Sequence, residues 1–524
     1  METEVLIIGG GTTGTGIARD LALRGIDCIL LEQNDINAGA SGGNHGLLHS
    51  GARYIFKDGE TAAECREEGN LLKKLAPHCI EDTGGIFVAV EGDDENYIAD
   101  FPGMCEKYSI PVKAVPIGQA LEREPCLSEK AISVFTVHDA TIDPFMLSLD
   151  NLSDAEAHGT SVLRNSRVTG FEIHKGTIAC ARVQDIRTGK TFFIDALQYI
   201  NATGAWADTV ARMAGAAIPM IYSKGSLVIT QNRINQQVIN RLRKASDADI
   251  IAPGGTVSIA GTTSVEIDNM DDIRATAEEV DHIIREGAEM VPELSTTRYI
   301  RAYAGVRPLV KTQNGSGRSI SRNYTLMDHL ADGLENFITI TGGKLTTYRL
   351  MAEKTADMAA ERLKNRNPCL TLTRPLPKSA KGEWTEPGKS PKIWSSSPKA
   401  GDTLICECEM VSESMVDRIV EALKSEGAAP DLEEVGNRSR IGKGPCQGTF
   451  CSFRLAAYLY AKGELFDDQG ISQVRQFVNE RWKGFEPLVR DKELMRVELQ
   501  ESFLCGLFSM EHSNELMKGY DDET

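Results

Sequence analysis

A chain of 524 residues is long enough for more than one domain, and its 41% hydrophobic and 25% charged residues are ordinary for a globular protein. The formal net charge of −18 argues against a general nucleic-acid-binding protein and provides no electrostatic attraction to anionic lipid. An anionic substrate would therefore need a local basic pocket.

The sequence predicts no membrane span and a reducing compartment. No apolar run approaches the roughly 20 residues that span a bilayer. The first strand pattern begins within four residues, so we expect no signal peptide and a cytoplasmic chain. Its 12 cysteines are then expected to be thiols or metal ligands rather than disulfides.

The chain opens with a strand, a glycine turn, a helix and a second strand. The apolar run Val5 to Ile8 predicts a buried parallel strand, and a helical pattern follows from about Thr13 to Arg24. Gly25 is placed to end that helix, and a second apolar run, Cys28 to Leu31, predicts the next strand. This order is typical of a doubly wound α/β fold.

The turn carries the G-x-G-x-x-G spacing on Gly9, Gly11 and Gly14. Gly9 permits the tight turn, Gly11 lets a pyrophosphate reach the backbone, and Gly14 lets the helix lie close to the strand. The helix N-terminus attracts the phosphates. Glu32, at the end of the second strand, is placed to bind an adenosine ribose. With strand, helix and acid in place, the motif predicts a bound dinucleotide.

The next segments alternate between helical and extended patterns. They predict a surface helix at about 60–75, half-buried strands at 85–90 and 131–137, a helix at about 94–108 that Pro102 kinks or splits, and a helix from Asp143-Pro144 to about 158. Residues 161–201 predict several short strands with turns at 174–176 and 188–190, ending in a buried strand at 197–201.

From about residue 219 to 322 the predicted elements no longer alternate regularly between strand and helix. Strands are predicted at 226–230, 257–261 and 299–306, and a helix at about 276–290. A later strand, 337–341, runs into Gly342-Gly343-Lys344 and a helix to about 363. This second strand–glycine–helix order suits a polar cofactor tail or a substrate.

The remaining third of the chain changes in character. Residues 374–403 are rich in Pro, Lys, Ser and Gly and predict a solvated linker. The tail predicts amphipathic helices at about 475–483 and 493–507, an apolar piece at 502–510 that packs on the chain's own core, and a disordered end at 521–524.

Four of the cysteines form two close pairs, Cys406 with Cys408 and Cys446 with Cys451. Thiolate sulfur is the soft ligand that zinc and iron–sulfur clusters require. Structural zinc sites usually use C-x-x-C, whereas this spacing is C-x-C and C-x4-C, which resembles the bacterioferritin-associated-ferredoxin-like [2Fe–2S] domain. Cysteine alone does not identify the metal, so zinc stays the alternative.

A family resemblance rests on three segments: the glycine-rich loop 33–58, Asn201-Ala202-Thr203-Gly204-Ala205-Trp206, and Thr341 to Arg349. Together they resemble the FAD-dependent glycerol-3-phosphate dehydrogenases, and nearly the whole chain is similar to the large A subunits of the bacterial anaerobic enzymes. The resemblance implies a glutathione-reductase-like FAD-binding Rossmann fold, an α+β substrate or cap domain and a small C-terminal cysteine-rich [2Fe–2S] domain.

The resemblance also implies the domain boundaries. These are an FAD-dependent oxidoreductase at 1–373 (FAD-binding segments about 1–80, 145–215 and 335–365; cap about 80–140 and 217–330), a linker at 374–403, the [2Fe–2S] domain at 404–460 and a C-terminal helical region at 461–524.

The resemblance implies these site residues: Ser41, Thr203, Gly204 and Gly343 at the FAD beside the motif residues above, Arg53, Tyr54, Arg307 and Lys344 at the substrate, and His49, Arg307 and Lys344 in catalysis. His49 is either the proton acceptor or a residue that lines the flavin. Aerobic relatives carry a histidine after Lys-Gly-Ser, where this chain has Leu227, so the general base stays open. The alternative to a strong general base is that Arg307 holds the alkoxide of the substrate.

The implied activity is quinone-linked oxidation of sn-glycerol 3-phosphate, a small phosphate ester, to dihydroxyacetone phosphate. Hydride passes to FAD, and single electrons then pass through the [2Fe–2S] centre to a second flavin-type subunit, an iron–sulfur membrane-anchor subunit, and finally a quinone. Such a chain is cytoplasmic and peripheral on the inner face of the cell membrane. Two alternatives stay open: an FAD-dependent 2-hydroxyacid or amino-acid dehydrogenase, and a non-catalytic flavin and iron–sulfur electron-transfer subunit.

Overall fold

The computed structural model describes residues 1–270, 273–311, 323–383, 394–396, 401–425, 429–490, 492–502 and 505, without the side chains of residues 492, 493, 496 and 500. The predictions for 521–524 and for most of 384–403 and 502–510 lie outside the described residues.

The described strands are β1 (Glu2–Ile8), β2 (Cys28–Leu31), β3 (Leu47–Leu48), β4 (Ile80–Glu81), β5 (Gly85–Val90), β6 (Lys113–Ala114), β7 (Ala131–Val137), β8 (Ala140–Ile142), β9 (Ser161–Leu163), β10 (Ser166–His174), β11 (Thr177–Asp185), β12 (Thr191–Asn201), β13 (Met220–Thr230), β14 (Val238–Arg241), β15 (Ile250–Gly254), β16 (Val257–Gly261), β17 (Val265–Ile267), β18 (Tyr299–Val310), β19 (Tyr324–Asp328), β20 (Phe337–Gly342), β21 (Leu404–Cys406) and β22 (Val411–Ser412).

The described α-helices are α1 (Thr12–Leu23), α2 (Gly59–Leu75), α3 (Glu95–Lys107), α4 (Ile117–Arg123), α5 (Pro144–Ala157), α6 (Ala207–Met213), α7 (Ala277–Ala288), α8 (Tyr348–Arg362), α9 (Glu413–Ser425), α10 (Leu432–Asn437), α11 (Cys451–Ala461), α12 (Gln469–Phe485) and α13 (Lys492–Glu501). None of the helices within the described ranges has the length and apolar character needed to cross a membrane.

The first layer is an eight-stranded sheet in the order β10-β11-β12-β1-β2-β9, with β20 also paired to β12 and β19 to β20. β12, β1, β2, β9 and β20 run parallel. β1 is apolar throughout because both of its faces are covered: Val5 and Ile7 pack with α1 and α8, whereas Leu6 and Ile8 pack with α6. The carboxyl ends of these parallel strands therefore meet at one edge, where doubly wound sheets bind ligands.

The second layer is a nine-stranded sheet in the order β17-β13-β16-β15-β14-β5-β7-β6, with β18 antiparallel to β13. Helix α7 begins with a capping box between Thr276 and Glu279. It buries Val280 and Ile283 against this sheet. Two separate stretches of the chain build the sheet, and it stands over the carboxyl edge of the first layer.

Most predicted elements are confirmed within a few residues, among them the first strand–helix–strand unit, α5, α7, α8 and the strands near 131, 257, 299 and 337. Gly25 has a φ of +73°, the left-handed conformation expected after a helix end. Asp143 accepts hydrogen bonds from the first backbone N–H groups of α5, as expected for an N-cap.

Two local predictions need correction. Strand β5 is buried on both faces instead of half-buried, because α3 and α4 cover the sheet there. Helix α3 continues through Pro102, so it does not split there. Helix α2 lies at the surface as predicted and buries one face, on which Glu68 is 5% exposed and pairs with Arg349 at 2.5 Å. The strand predicted at 197–201 is the end of the longer β12 and is buried from residue 198 onwards, whereas Leu197 is 59% exposed.

The first ten residues of the predicted linker are held against the fold at several points, although half of them are exposed. Leu376 is 4% exposed, and its N–H donates to the carbonyl of Leu75 at 2.8 Å. The N–H of Ser379 donates to the buried carboxylate of Asp150 at 2.8 Å. Arg19 donates to two carbonyl oxygens in the same segment. These contacts fasten residues 374–383 to the Rossmann layer, so this part of the predicted linker is anchored and only partly solvated.

The cysteine-rich region has its own core, in which Ile405, Ile419 and Leu455 are buried. It contacts the Rossmann layer through buried charges. Asp35, three residues past Glu32, accepts two hydrogen bonds from Arg438 at 2.8 and 3.0 Å. The cysteine-rich domain is thereby held beside the adenosine end of the predicted dinucleotide site.

Candidate active site

A cleft of about 370 Å³ opens where the carboxyl ends of β1, β2, β12 and β20 meet. All but one of the residues predicted to bind the dinucleotide line it: Gly9, Gly11, Glu32, Ser41, Thr203, Gly204 and Gly343. Gly14 does not line the cleft, because it lies beneath the turn.

The glycine turn requires its glycines for two different reasons. Gly9 has a φ of +115°, which side chains rarely adopt, and a Cβ there would lie 2.6 Å from the carbonyl oxygen of Ala202. A Cβ on Gly14 would lie 1.9 Å from the carbonyl oxygen of Gly9. Helix α1 therefore begins pressed against β1, and its first turn carries no acidic residue, which suits an anionic group.

Glu32 and Ser41 stabilise the loop around the turn. The Glu32 carboxylate accepts the N–H of Gly10 at 2.7 Å and that of Asn34 at 2.8 Å, and burial raises the pKa of this carboxyl. The Ser41 hydroxyl accepts the N–H of Thr12 at 3.0 Å. Glu32 thus lies at the end of the cleft that is predicted to hold the adenosine, and Ser41 faces the first turn of α1.

The opposite wall is formed by two glycine-containing turns. Thr203 and Gly204 follow β12, and the Thr341 hydroxyl donates to the carbonyl of Gly204 at 2.9 Å. Gly342 ends β20 and Gly343 follows it, with φ values of +83° and +73°. Both turns place glycines at the cleft.

These features fit FAD. The cleft connects an acid at the end of β2, a helix N-terminus without acidic residues, and glycine backbone at the far end. Those are the groups that bind the ribose, the pyrophosphate and a flat ring system in a dinucleotide-binding Rossmann fold. The end of the cleft that would hold the flat ring system, which we call the ring end, faces the second sheet.

A second cavity of about 120 Å³ adjoins the ring end of the cleft. It is lined by four of the predicted substrate or catalytic residues, His49, Arg53, Tyr54 and Arg307, while Lys344 lines the adjoining cleft. The structure therefore brings together all five of these residues, although they lie up to 295 positions apart in the sequence.

Arg53 is positioned by an acid that the sequence analysis did not identify. Its Nη2 donates to Asp249 at 2.6 Å, and the side chain of Asp249 is 0% exposed. Asp249 also accepts from Arg243 Nε at 2.8 Å and from the N–H of Ser246 at 2.6 Å. Asp249 stands in an ordinary loop far from Arg53 in sequence, so no local pattern marks it.

Replacing Asp249 with alanine is expected to raise the KM for an anionic substrate roughly tenfold while kcat changes less, because Arg53 loses its orientation in the free enzyme. Steady-state kinetics would measure this. Asp154→Ala, which breaks the buried Arg19–Asp154 pair outside the cavity, is the control and should leave KM unchanged. A lower KM in Asp249→Ala would show that loss of its negative charge outweighs loss of positioning.

Arg307 reaches the cavity from β18. Its guanidinium donates to the Ser223 hydroxyl at 3.3 Å and the Thr263 carbonyl at 3.1 Å, and also contacts the Thr262 hydroxyl. It lies across Gly225 on the paired strand, where a Cβ would fall 2.4 Å from Arg307 Nη2. The Gly225 of the Lys-Gly-Ser-Leu segment thus leaves room for Arg307, and Leu227 is buried at 1% exposure.

Three predicted site residues contact one another in sequence at the ring end of the cleft: His49, Tyr54 and Lys344. The Tyr54 hydroxyl lies 3.2 Å from His49 Nε2, and Lys344 Nζ lies 4.6 Å from the centre of the Tyr54 ring. Burial raises the pKa of nearby Glu64, and the charge of Lys344 opposes that rise. The backbone beside His49 is fixed by Asp139, which accepts the Ser50 N–H at 2.7 Å.

The two layers touch through a pair of glycines. A Cβ on Gly305 of β18 would lie 2.2 Å from the carbonyl oxygen of Gly43 in the glycine-rich loop. We expect Gly305→Ala to weaken FAD binding roughly tenfold or more, since overpacking of this kind costs about 1–3 kcal/mol. Flavin fluorescence on dilution would measure the loss.

Gly103→Ala is the matched control for Gly305→Ala, because a Cβ on Gly103 in α3 meets no atom within 4 Å. It should leave flavin affinity unchanged and stabilise α3 slightly. Equal flavin affinity in both variants would contradict the requirement for a glycine at this crossing.

The four predicted metal-ligand cysteines also converge. The sulfur of Cys451 lies within hydrogen-bonding reach of the sulfurs of Cys406 and Cys446, and that of Cys446 within reach of Cys408. Backbone N–H groups point at these sulfurs, from Glu409, Gly442, Gly448 and Phe450 among others. A compact set of four thiols surrounded by backbone N–H donors fits a [2Fe–2S] cluster.

Comparisons with known proteins agree with this arrangement. Residues 4–358 match the FAD dependent oxidoreductase family, and residues 404–461 match the BFD-like [2Fe-2S] binding domain. The chain is 43% identical to the A subunit of the anaerobic glycerol-3-phosphate dehydrogenase of Escherichia coli (strain K12), over 96% of this chain and 97% of that protein. It is 36% identical to the A1 subunit of the Haloferax volcanii enzyme, over 92% and 86% respectively.

Solved structures share the fold. The glycerol-3-phosphate dehydrogenase from Bacillus halodurans complexed with FAD has a TM-score of 0.65 at 21% identity, with 94% of this chain and 96% of that chain covered. Glycine oxidase from Geobacillus kaustophilus has a TM-score of 0.58 at 20% identity, with 69% and 95% covered. At these identities the two structures support the FAD-binding fold and carry no information on the substrate.

Proposed function

The chain belongs to the FAD dependent oxidoreductase family and, within it, to the family of the anaerobic glycerol-3-phosphate dehydrogenase A subunits, and from this premise we propose that it oxidises sn-glycerol 3-phosphate to dihydroxyacetone phosphate. FAD and a [2Fe–2S] cluster are its cofactors. The family assignment favours an enzyme over a non-catalytic electron-transfer subunit.

One observation carries the choice of substrate class. Arg53, from the Rossmann side, and Arg307, from the second sheet, line the same cavity of about 120 Å³ beside the flavin cleft. Two guanidinium groups suit the several oxygens of a phosphate ester, and the small volume suits a three-carbon molecule. The pocket also supplies the local positive charge that a chain of net charge −18 needs for an anionic substrate.

The chemistry divides among the residues around this pocket. FAD, when bound, supplies the hydride acceptor. Arg53 and Arg307 hold the phosphate and orient the substrate carbon towards the ring end of the cleft. The Tyr54 hydroxyl, 3.2 Å from His49 Nε2, accepts the substrate's hydroxyl proton as its own proton moves to that nitrogen. Lys344 stabilises the negative charge that develops on the substrate oxygen.

Cys406, Cys408, Cys446 and Cys451 would hold the [2Fe–2S] cluster, which would supply one-electron transfer when bound. The proposed acceptors beyond it are a second flavin-type subunit, an iron–sulfur membrane-anchor subunit and finally a quinone. Those partners hold the chain at the inner face of the cell membrane. Two features support this route: the cysteine-rich domain is docked on the Rossmann layer by buried charges, and the relatives are named as subunits.

Anaerobic mixing of the purified holoenzyme with sn-glycerol 3-phosphate tests the proposal. The flavin absorbance band should bleach within the turnover time, and a cluster signal should follow that is absent in Cys408→Ser. L-lactate and L-proline test the carboxylate alternatives. Bleaching by one of these acids, with none by the phosphate ester, would overturn the proposed substrate.

A further inference from the structure

The cysteine cluster is enclosed on most sides but reaches the surface on one. Cys406 and Cys451 are 1% and 2% exposed. Phe477 of α12 covers the glycine loop, since a Cβ on Gly442 or Gly448 would lie within 2.6 Å of its ring. Cys408, by contrast, is exposed. Within the described ranges, this ligand marks the side of the cluster that faces solvent.

The residues around Cys408 form a continuous surface, which we call the exit face: Glu407, Cys408, Phe450 and Arg454. Phe450 is 60% exposed and directly precedes the ligand Cys451. Arg454 lies four residues further along α11, so it shares a helix side with Phe450. Arg454 Nη1 in turn pairs with Glu407 at 2.9 Å, which closes the surface around Cys408.

This composition is that of a small interaction site. A large aromatic side chain stands at the centre, and a charged pair lies beside it with 43% and 63% of its side chains exposed. Exposed aromatic residues next to arginine are enriched among the side chains that dominate binding energy in protein interfaces. Electron transfer slows steeply with distance, so an acceptor must approach the cluster where the enclosing protein is thinnest, which is here.

We propose that the exit face is the docking surface for an electron-accepting partner subunit whose own one-electron centre, a flavin or an iron–sulfur cluster, comes to lie opposite Cys408. This inference rests on the proposed function and adds where the electrons leave. Each transfer oxidises the reduced cluster by one electron and reduces the partner's centre by one, without moving a proton. Two such transfers follow each substrate oxidation. Phe450 inserts into the partner, and Arg454 with Glu407 forms the polar edge of the contact.

Phe450→Glu and Phe466→Glu make a matched pair for the test. Both phenylalanines are 60% exposed in the same domain, but they flank opposite ends of α11. The complex with its partner subunits is purified for each variant, and partner binding is measured by sedimentation. Phe450→Glu should weaken binding roughly tenfold or more, whereas Phe466→Glu should match the wild type. Equal binding by both variants would overturn the proposal.

A second readout separates this inference from the proposed function. The cluster of each variant is reduced chemically with dithionite and mixed with oxidised partner, so that no substrate is involved. Phe450→Glu should keep the cluster's circular dichroism spectrum and its flavin reduction rate but transfer electrons to the partner at least about tenfold more slowly. An unchanged rate of electron transfer to the partner would overturn the proposal for the exit face. Failure of sn-glycerol 3-phosphate to reduce the flavin would count against the proposed function alone.

Arg454→Ala provides the safeguard if Phe450→Glu disturbs the cluster. It removes the charged edge while leaving the four cysteines and Phe450 in place. Weaker partner binding with an unchanged cluster spectrum would support the exit face. Full binding and full electron transfer in Arg454→Ala, together with loss of the cluster in Phe450→Glu, would assign Phe450 a structural role and overturn the proposal.

Discussion

Replacing Arg307 with glutamine is expected to lower kcat/KM for sn-glycerol 3-phosphate by about 10²- to 10³-fold, the range seen when a positioned charge-stabilising donor is removed from an active site. The guanidinium is fixed by Ser223 and Thr263 and lies across Gly225, so its direction into the cavity is set before substrate binds. Glutamine is shorter, neutral and unable to bind a phosphate with two parallel N–H groups.

The division of that loss between kcat and KM decides what Arg307 does. If it binds only the phosphate, KM rises and the rate of flavin reduction at saturating substrate is preserved. If it also holds the developing alkoxide, the saturating rate falls as well. Anaerobic stopped-flow absorbance measures both quantities directly.

Lys311→Ala is the matched control for Arg307→Gln, because Lys311 is an exposed cation just beyond the end of the same strand and does not line the cavity. It should keep wild-type kinetics. Near-normal flavin reduction in Arg307→Gln would contradict the assignment of this cavity as the substrate site.

The fold and the dinucleotide cleft were largely predictable because their determinants are local. Val5 to Ile8 is apolar on both faces, and the glycine spacing from Gly9 to Gly14 follows it directly. The conformation of Gly9 and the close approach at Gly14 are the properties that the motif implies. The two cysteine pairs were predictable as metal ligands for the same reason, since ligands that are close in sequence must be close in space.

Contacts between distant segments were not predictable. Asp249 meets Arg53 across 196 positions, and each residue alone is an ordinary charged side chain. Gly43 and Gly305 need no side chain only because the two layers cross there. Residues 374–383 have a linker's composition, yet they pack because Leu75 and Asp150 present hydrogen-bond acceptors to them. The composition of a segment indicates its local conformational preference. These contacts depend instead on which distant residues the fold places beside the segment.

The contact between the cysteine-rich domain and the Rossmann layer is of this second kind, and it supports the largest expected effect on stability. Arg438 is 1% exposed and binds both oxygens of Asp35, which is 9% exposed. Arg164 links the same carboxylate to Glu434 at 3.4 and 2.8 Å. Although burial alone would raise the pKa of Asp35, the charges of Arg438 and Arg164 hold it at about 2.

Arg438→Met is expected to destabilise the docked cysteine-rich domain by about 3–5 kcal/mol, because it leaves a buried carboxylate with less compensation. Unfolding in urea, followed by the cluster's visible circular dichroism and by flavin fluorescence, would measure it. The double variant Asp35→Leu/Arg438→Met should recover most of the loss, since it removes both charges. Arg418→Met breaks the partly exposed Arg418–Glu383 pair and should cost no more than about 1 kcal/mol.

The same pair predicts a pH dependence with a definite sign. The pKa of Asp35 is about 2 in the folded chain and about 3.9 in an unfolded one, so its ionised form stabilises the fold above about pH 4. That contribution is lost as the pH falls from about 4 towards 2. The difference in unfolding free energy between wild type and Arg438→Met should therefore shrink as the pH falls towards 3. The decrease should begin above pH 4, because without Arg438 burial raises the pKa of Asp35, and the neighbouring Glu434, whose pKa is already about 7, loses a compensating charge. A difference that persists unchanged at pH 3 would mean that Arg438 stabilises the contact by packing rather than through the charge of Asp35.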